Sequence, residues 1–350
     1  MKIVVLGGGI STERNVSIVT GMSVCRTLRA RGHQAIFVDM FLGLENYDGT
    51  LDDVFDVPDG FCREVTVSQQ EPELKQVIAS RKKQGQSHLG DRVLDVCARA
   101  DIVFLGLHGI DGEDGKIQAA LELLGIPYTG SGHLGSAMAM DKAVTKRIME
   151  SAGILTPKWQ ELNYIAADIP ELTEELTTPC VVKTVSGGSS IGVIIADNKT
   201  ELEAALHEAL NYGKRVIIEE KITGRELTVP ILNDRCLEPV EILPPEDKTF
   251  DYVAKYQSGS IGATEICPAG ITEAEKKSMG DAALLLHRVL GLRVYSRVDF
   301  ILDEYGRAWC LEINTLPGLT PNSLLPKAAK VEGLDYGALC ETIVKSSLEK

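Results

Sequence analysis

The 350-residue sequence has no apolar run approaching the roughly 18 residues of a membrane span. It has no excess of positive charge. The 36 basic residues stand against 50 acidic ones, for a net charge of −14. That balance argues against broad binding to nucleic acid or to an anionic membrane, and leaves room for a local basic pocket. The eight cysteines, at positions 25, 62, 97, 180, 236, 267, 310 and 340, show no CxxC spacing. Several sit in apolar contexts, so the expected state is reduced, buried thiols in a cytoplasmic protein. No GxxxxGK[ST] loop occurs anywhere. The GxGxxG fingerprint fails at Gly7-Gly8-Gly9 because Thr12 stands where the third glycine belongs, which disfavours a nicotinamide or flavin site. Lys2 already lies inside an apparent strand, so no secretory signal is expected ahead of the fold.

What is present is an ordinary globular composition, 44% hydrophobic and 25% charged, in a chain long enough for two or three domains. KIVVL, a glycine turn, a helix over 17–31 and AIFVDM predict a β-α-β unit. Glu13 and Arg14 fall where the strand's carboxyl end meets the helix, the place where α/β sheets put ligands; a helix start with an acid favoured by the dipole is the plainer alternative. Residues 41–100 predict an inserted, partly loop-rich segment, with His88 as a solvated loop histidine. DIVFL predicts a strand, followed by HGIDGEDG and a helix. The three glycines and three acids of that octapeptide imply a turn of definite path, with His108 just past a strand end. IPYTGSG predicts a further short strand and turn. A helix is predicted over 137–152, with Lys142 opening a turn after Asp141.

CVVKTVSGGSSIGVII predicts a strand ending in Lys183, a Gly/Ser loop and a returning strand. Small residues let backbone N–H groups approach phosphate oxygens, Ser189 and Ser190 add hydroxyl donors, and Lys183 supplies charge; a hairpin loop without a ligand is the alternative. VIIEEKI predicts a strand whose polar backbone at 219–222 can meet a purine ring, and Glu226 opens the next strand. Residues 250–270, with Lys255 and Tyr256, are long for a plain connection and suit a lid. Thr272 and Glu275 form a capping-box pattern. A helix predicted from about Ser323 makes an anion site at its N-terminus.

The hairpin RVDFILDEYGRAWCLEINTLPG, residues 297–318, organises the rest. With its turn centred on Glu304 and Tyr305, Arg297 faces Glu312 and Asp299 faces Cys310. Arg297, Asp299, Glu312 and Asn314 then share one face, while Val298, Phe300, Leu302, Trp309, Leu311 and Ile313 share the other. Two carboxylates and an amide oxygen suit Mg²⁺. A solvated strand face with an Arg–Glu pair is the alternative.

Taken together, STERNVS, HGIDGEDGKIQA, YTGSG, MDK, VVKTVSGGSSIG, IIEEKITGRELTV, DYVAKY, CPAG, RVDF and LEINTLPGLTPNSLLP resemble, in order, the D-alanine–D-alanine ligases of the ATP-grasp superfamily. The resemblance covers nearly the whole chain outside 41–100. It implies an α/β, ATP-grasp architecture of three domains: an N-terminal Rossmann-like domain over 1–130, a central α+β domain over 131–215 with the phosphate loop, and a C-terminal α+β domain over 216–350 with the metal hairpin. It implies ATP-dependent joining of two D-alanines through a D-alanyl phosphate, for peptidoglycan precursor synthesis, by a cytoplasmic homodimer without nucleic-acid or membrane partners. By the same resemblance, Glu13 holds the first ammonium, linked to Ser189 and Tyr256, and His108 lines that site. Lys142, Lys183 and Lys255 neutralise ATP phosphates, with Ser189 and Ser190 in the loop. Glu219, Glu220 and Ile222 hold adenine, and Glu226 the ribose. Asp299, Glu312 and Asn314 bind two Mg²⁺ ions, with Mn²⁺ as a substitute. Arg297 stabilises the oxyanion, and Gly318, Ser323 and Leu324 take the second D-alanine. The chain departs from the family at Thr184-Val185-Ser186, at Cys310 and at Leu316.

Overall fold

A computed structural model describes residues 1–65, 72–187, 192–243 and 264–349. The chain opens with β1 (Lys2–Gly7), α1 (Arg14–Ala30) and β2 (Gln34–Asp39), the right partners for a parallel unit. After the insertion, which carries α2 (Leu74–Ser80) and α3 (Val93–Cys97), come β3 (Ile102–Leu105) and α4 (Lys116–Leu123). The three strands pair in the order β2-β1-β3, all parallel. Ile3, Val4, Val5 and Leu6 are all fully buried, as expected of a strand covered on both faces. IPYTGSG forms only an isolated bridge from Tyr128 to Val103, not a strand of its own.

The insertion does not hang free. Arg29 donates to the carbonyls of Ala35, Val57 and Pro58, and Cys25 on α1 is disulfide-bonded to Cys62. This corrects the expectation of eight reduced thiols. Packing of the insertion on α1 brings the two Cα atoms to 6.3 Å, within bridging range, a proximity 37 residues of separation do not announce. The other six cysteines are free. His88 is also not merely solvated, since its Nδ1 meets the buried Asp111 carboxylate at 2.5 Å.

The helix expected over 137–152 is two helices, α5 (His133–Met140) and α6 (Lys142–Ser151). Asp141 breaks the run: it is extended, and its carboxylate accepts the Val144 N–H at 2.9 Å as the cap of α6, the local competition for which Asp is suited. The middle of the chain gives β4 (Trp159–Asn163), α7 (Ile169–Glu175), β5 (Cys180–Thr184), β6 (Val193–Ala196), α8 (Lys199–Ala209) and β7 (Arg215–Glu220). Its strands form an antiparallel sheet ordered β4-β7-β5-β6, so this sheet closes at Glu220, past the division expected at 215. Val182, Leu202, Leu206 and Val216 make its core against α7 and α8.

The last sheet contains β8 (Arg225–Leu232), β9 (Arg235–Cys236), β10 (Val240–Leu243), β11 (Thr264–Ile266), β12 (Tyr295–Leu302) and β13 (Ala308–Asn314), ordered β11-β10-β8-β12-β13 with β9 beside β8. Helix α9 (Glu273–Val289) covers one face. It starts with the expected capping box between Thr272 and Glu275. Two helices follow, α10 (Leu324–Val331) and α11 (Tyr336–Leu348). Both return to the first sheet: Leu325, Ala328, Leu339 and Ile343 join the core of Ile3, Leu6 and Leu28.

Candidate active site

The polar face of the last sheet is where the expected hairpin face lies, with a corrected register. Arg297 pairs with Asn314 and Asp299 with Glu312; Phe300 then pairs with Cys310, with a shift between Asp299 and Phe300. The expected oppositions, Arg297 with Glu312 and Asp299 with Cys310, are therefore not formed. The cause is twofold. The turn is one residue wider, because the Asp303 carboxylate accepts the N–H groups of both Tyr305 and Arg307, and Leu311 is an extra, bulged residue. Beyond the bulge, Cys310 and Ala308 point into the core with Val298, Phe300 and Leu302, whereas Trp309 and Leu311 are only half-buried. The bulge lets Glu312 keep the Asp299 face although Cys310, two residues earlier, leaves it.

Asp299 is held on all sides. Arg297 donates through Nε and Nη2 to its two oxygens at 2.9 and 2.8 Å. Thr228 Oγ1 on β8 donates at 2.6 Å and Asn314 Nδ2 at 3.0 Å. Arg297 and Asp299 are both buried, and such charges persist only when paired. Glu226 lies on the same face, two residues along β8 from Thr228, in register with Ile301. Asp299, Glu312 and Asn314 offer two carboxylates and an amide oxygen, a hard donor set that fits Mg²⁺. Among the described residues no group of three or more His, Cys, Asp or Glu side chains is placed to hold a metal; the set on this face includes an amide.

The lysines arrive from α6 and from β5 of the middle sheet. Lys142, at the first turn of α6, places Nζ 3.2 Å from Glu312 Oε2 and 2.8 Å from the Gly187 carbonyl. Lys183, at the end of β5, donates to Glu219 Oε2 at 2.7 Å. Lys146 lies 2.9 Å from Glu219 Oε1. Burial alone would raise the Glu219 carboxyl, but Lys183 and Lys146 outweigh it and hold it below its ordinary value. A cleft lined by Glu113, Lys142, Gly187, Glu312, Asn314 and Thr315 lies beside the Lys142–Glu312 contact. Glu220 is exposed, its N–H bonded to the Lys158 carbonyl at 2.8 Å, and Ile222 is half-buried. Ser189, Ser190, Lys255 and Tyr256 lie outside the described residues.

Glu13 is buried at the start of α1. Gly109, with φ +72°, turns the chain past it; a Cβ there would stand 2.6 Å from Glu13 Oε2, so glycine is required. The turn brings in Glu113. Its oxygens accept the N–H groups of Gly109 at 2.9 Å and Leu316 at 3.0 Å. Burial first, then the Glu13 charge, pushes the Glu113 carboxyl up to about 7, against the pull of those N–H groups and of Arg297. His108 grips the same residue, with Nδ1 2.9 Å from the Leu316 carbonyl and Nε2 2.9 Å from Thr20 Oγ1. A carbonyl only accepts, so Nδ1 carries the proton. Ser323 precedes α10 without capping it; its Oγ accepts the Thr320 N–H at 3.1 Å. Gly318 lies against it, a Cβ there falling 3.0 Å from that oxygen, and Leu324 is buried.

Sequence reasoning missed Glu113, Lys146 and Thr228. Glu113 was visible only as one of three acids in a glycine turn. Lys146 carries one signal, its place one helical turn after Lys142.

The D-ala D-ala ligase N-terminus family matches residues 2–131, and the D-ala D-ala ligase C-terminus family matches residues 148–345. The D-alanine–D-alanine ligase of Lacticaseibacillus casei is 39% identical over 349 residues, covering 100% of this chain and 96% of its own. That of Pediococcus pentosaceus is 40% identical over 345 residues, covering 98% and 97%. The crystal structure of the Bacillus anthracis D-alanine–D-alanine ligase complexed with ATP superposes with a TM-score of 0.73 at 29% identity, covering 100% of this chain and 98% of that one.

Proposed function

The chain belongs to the D-alanine–D-alanine ligase family, and from that membership we infer that it is the ATP-dependent ligase that joins two D-alanines for peptidoglycan precursor synthesis. The observation that carries this reading is the approach of opposite charges from two units: the Asp299–Glu312 carboxylate face of the last sheet meets Lys142 of α6, and Lys183 of the middle sheet is held nearby on Glu219. In the reaction, a carboxylate oxygen of the first D-alanine attacks the γ-phosphorus of ATP and expels ADP. The amine of the second then attacks the acyl phosphate carbon, and the tetrahedral intermediate expels phosphate.

Each residue has a part in that sequence. Glu13, facing the Gly109 turn, takes the ammonium of the first D-alanine, with His108 and Glu113 fixing the wall around it. Lys142 and Lys183 supply charge to the phosphates. For Ser189, Ser190, Lys255 and Tyr256, which lie outside the described residues, the resemblance alone carries the proposed roles: phosphate donors, and for Ser189 and Tyr256 a hydrogen-bonded link to Glu13. Glu219, Glu220 and Ile222 hold adenine, and Glu226 the ribose. Asp299, Glu312 and Asn314 would hold two Mg²⁺ ions, or Mn²⁺ in their place, which when bound neutralise phosphate oxygens. Arg297, oriented by its Nε and Nη2 bonds to Asp299, stabilises the oxyanion. Gly318, Ser323 and the Leu324 backbone receive the carboxylate of the second D-alanine. The working form is a cytoplasmic homodimer; among the described residues no helix is long and apolar enough to cross a membrane.

Incubation with ATP, Mg²⁺ and D-alanine should release phosphate and form the dipeptide in equal amounts. Competition among D-alanine, D-serine and D-lactate then reads the second site. No phosphate release with any D-amino-acid pair would refute the assignment.

A further inference from the structure

We propose that Lys146 is a positioning residue for the nucleotide: it shares the Glu219 carboxylate with Lys183 and thereby keeps the positive field of Lys183 available to the phosphates. The inference rests on the ATP reading given above.

Lys146 is 1% exposed and is not one of the residues lining the cleft; Glu219 is 2% exposed. Its Nζ lies 2.9 Å from Glu219 Oε1, while Lys183 Nζ lies 2.7 Å from Glu219 Oε2. One carboxylate therefore bridges two ammonium groups, and the trio carries a net charge of +1. A simple Lys183–Glu219 pair would carry none. A buried carboxylate with a single ammonium partner gives that partner its full attraction, and the low dielectric makes the neutralisation strong. Lys146 divides that attraction. It sits on α6 four residues after Lys142, so one helix face sends one lysine to Glu312 and the next to Glu219. Lys146 is itself fixed from behind. Its Nζ donates to Thr156 Oγ1 at 2.6 Å, and that hydroxyl donates to the Cys310 carbonyl at 2.7 Å, next to the bulge of β13. Burial, with the neighbouring Lys183 charge, draws the Lys146 ammonium below its ordinary value, and Glu219 is the partner that opposes this pull.

A purely structural role would make a different prediction. If Lys146 only shapes the adenine wall, its loss weakens ATP and adenosine alike. If it governs charge, its loss weakens ATP and spares adenosine. The experiment measures dissociation constants of ATP and adenosine by calorimetry on the full-length protein and on K146M, K146Q and T156V, with thermal unfolding as a check of the fold. K146Q keeps a hydrogen-bond donor at Glu219 without the charge, and carries the test should K146M not fold. Expected is a loss of roughly 10–100-fold in ATP affinity, the scale of one nearby charge at intermediate dielectric, in both Lys146 variants. Adenosine affinity should stay within about 3-fold. T156V, which keeps the charge, should keep the wild-type ratio of the two affinities. Parallel loss of both ligands, unchanged ATP affinity, or a wild-type ratio in K146Q would each overturn the proposal. ATP binding by the wild-type protein tests the nucleotide reading separately; its absence would overturn that reading, and this inference with it.

Discussion

Asp299 and Glu312 face each other across one ladder, yet they sit in different electrostatic company. Asp299 is buried and neutralises a buried guanidinium in bidentate fashion, with Thr228 and Asn314 completing its shell. Glu312 is half-buried and meets Lys142 at the cleft. Removing one member of a buried pair leaves the other charge uncompensated, at about 3–5 kcal/mol, whereas a partly exposed pair is worth about 1 kcal/mol or less. Asp299→Asn should therefore abolish turnover and also lower unfolding free energy by about 3 kcal/mol. Glu312→Gln should abolish turnover at a stability within about 1 kcal/mol of wild type. Phosphate release and denaturant unfolding on the two proteins read both effects. Equal stability losses would show that the Arg297–Asp299 contact is not the stronger one. Residue types on this face were legible from alternation alone. Which carboxylate holds the arginine was not, because that depends on a bulge and on Thr228 from another strand.

At the scale of elements, the sequence announced those whose signal is local. The β1 and β3 strands are short buried apolar runs, and the start of α9 is a capping box spelled out in four residues. The β12–β13 register was misjudged by local reasoning, since a turn centre cannot be fixed from DEYG until the Asp303 carboxylate is seen to bind two N–H groups. The docking of α11 on α1 was equally invisible, being a contact across some 300 residues. It is pinned by Glu341, which takes Arg31 at 2.9 Å and His33 at 3.1 Å. The Arg31 hydrogen bond, with help from His33, holds the Glu341 carboxyl down at about 2. Since this folded value lies below the ordinary 4.5, the contact contributes stability fully above pH 4.5 and loses it as pH falls through about 2. Wild type should exceed E341Q by up to about 1 kcal/mol near neutrality, with the gap closing between pH 4.5 and 2. Denaturant unfolding across that range checks it; a gap that persists at pH 2 would place the contribution in packing.

At the scale of the whole molecule, the chain's division into three stretches is looser than its sequence suggests. The tail of the third stretch returns to the first sheet, and the loop between β13 and α10 is held by the first. Leu316 is the point of contact: its N–H goes to Glu113 and its carbonyl to His108. The end assigned above to the amino acid is thus built between the first and last units, and the end assigned to the nucleotide between the middle and last. The two ends should respond separately. His108→Ala removes one grip on Leu316 and leaves Thr20 and that carbonyl to find other partners, a cost of about 1–3 kcal/mol when a buried group loses its bond. Released at one atom, the loop carrying Gly318 and Ser323 no longer holds its place over the Gly109 turn. The KM for D-alanine should rise about 10-fold or more, the factor that about 1.4 kcal/mol of lost positioning corresponds to. The dissociation constant for ATP should stay within about 2-fold of wild type, because Lys142 and Lys183 are held by Glu312, Gly187 and Glu219. Steady-state kinetics at saturating ATP, paired with calorimetric ATP binding, separates the two ends. An equal loss at both would mean that the clamp on Leu316 sets the closure of the entire cleft and not only its amino-acid end.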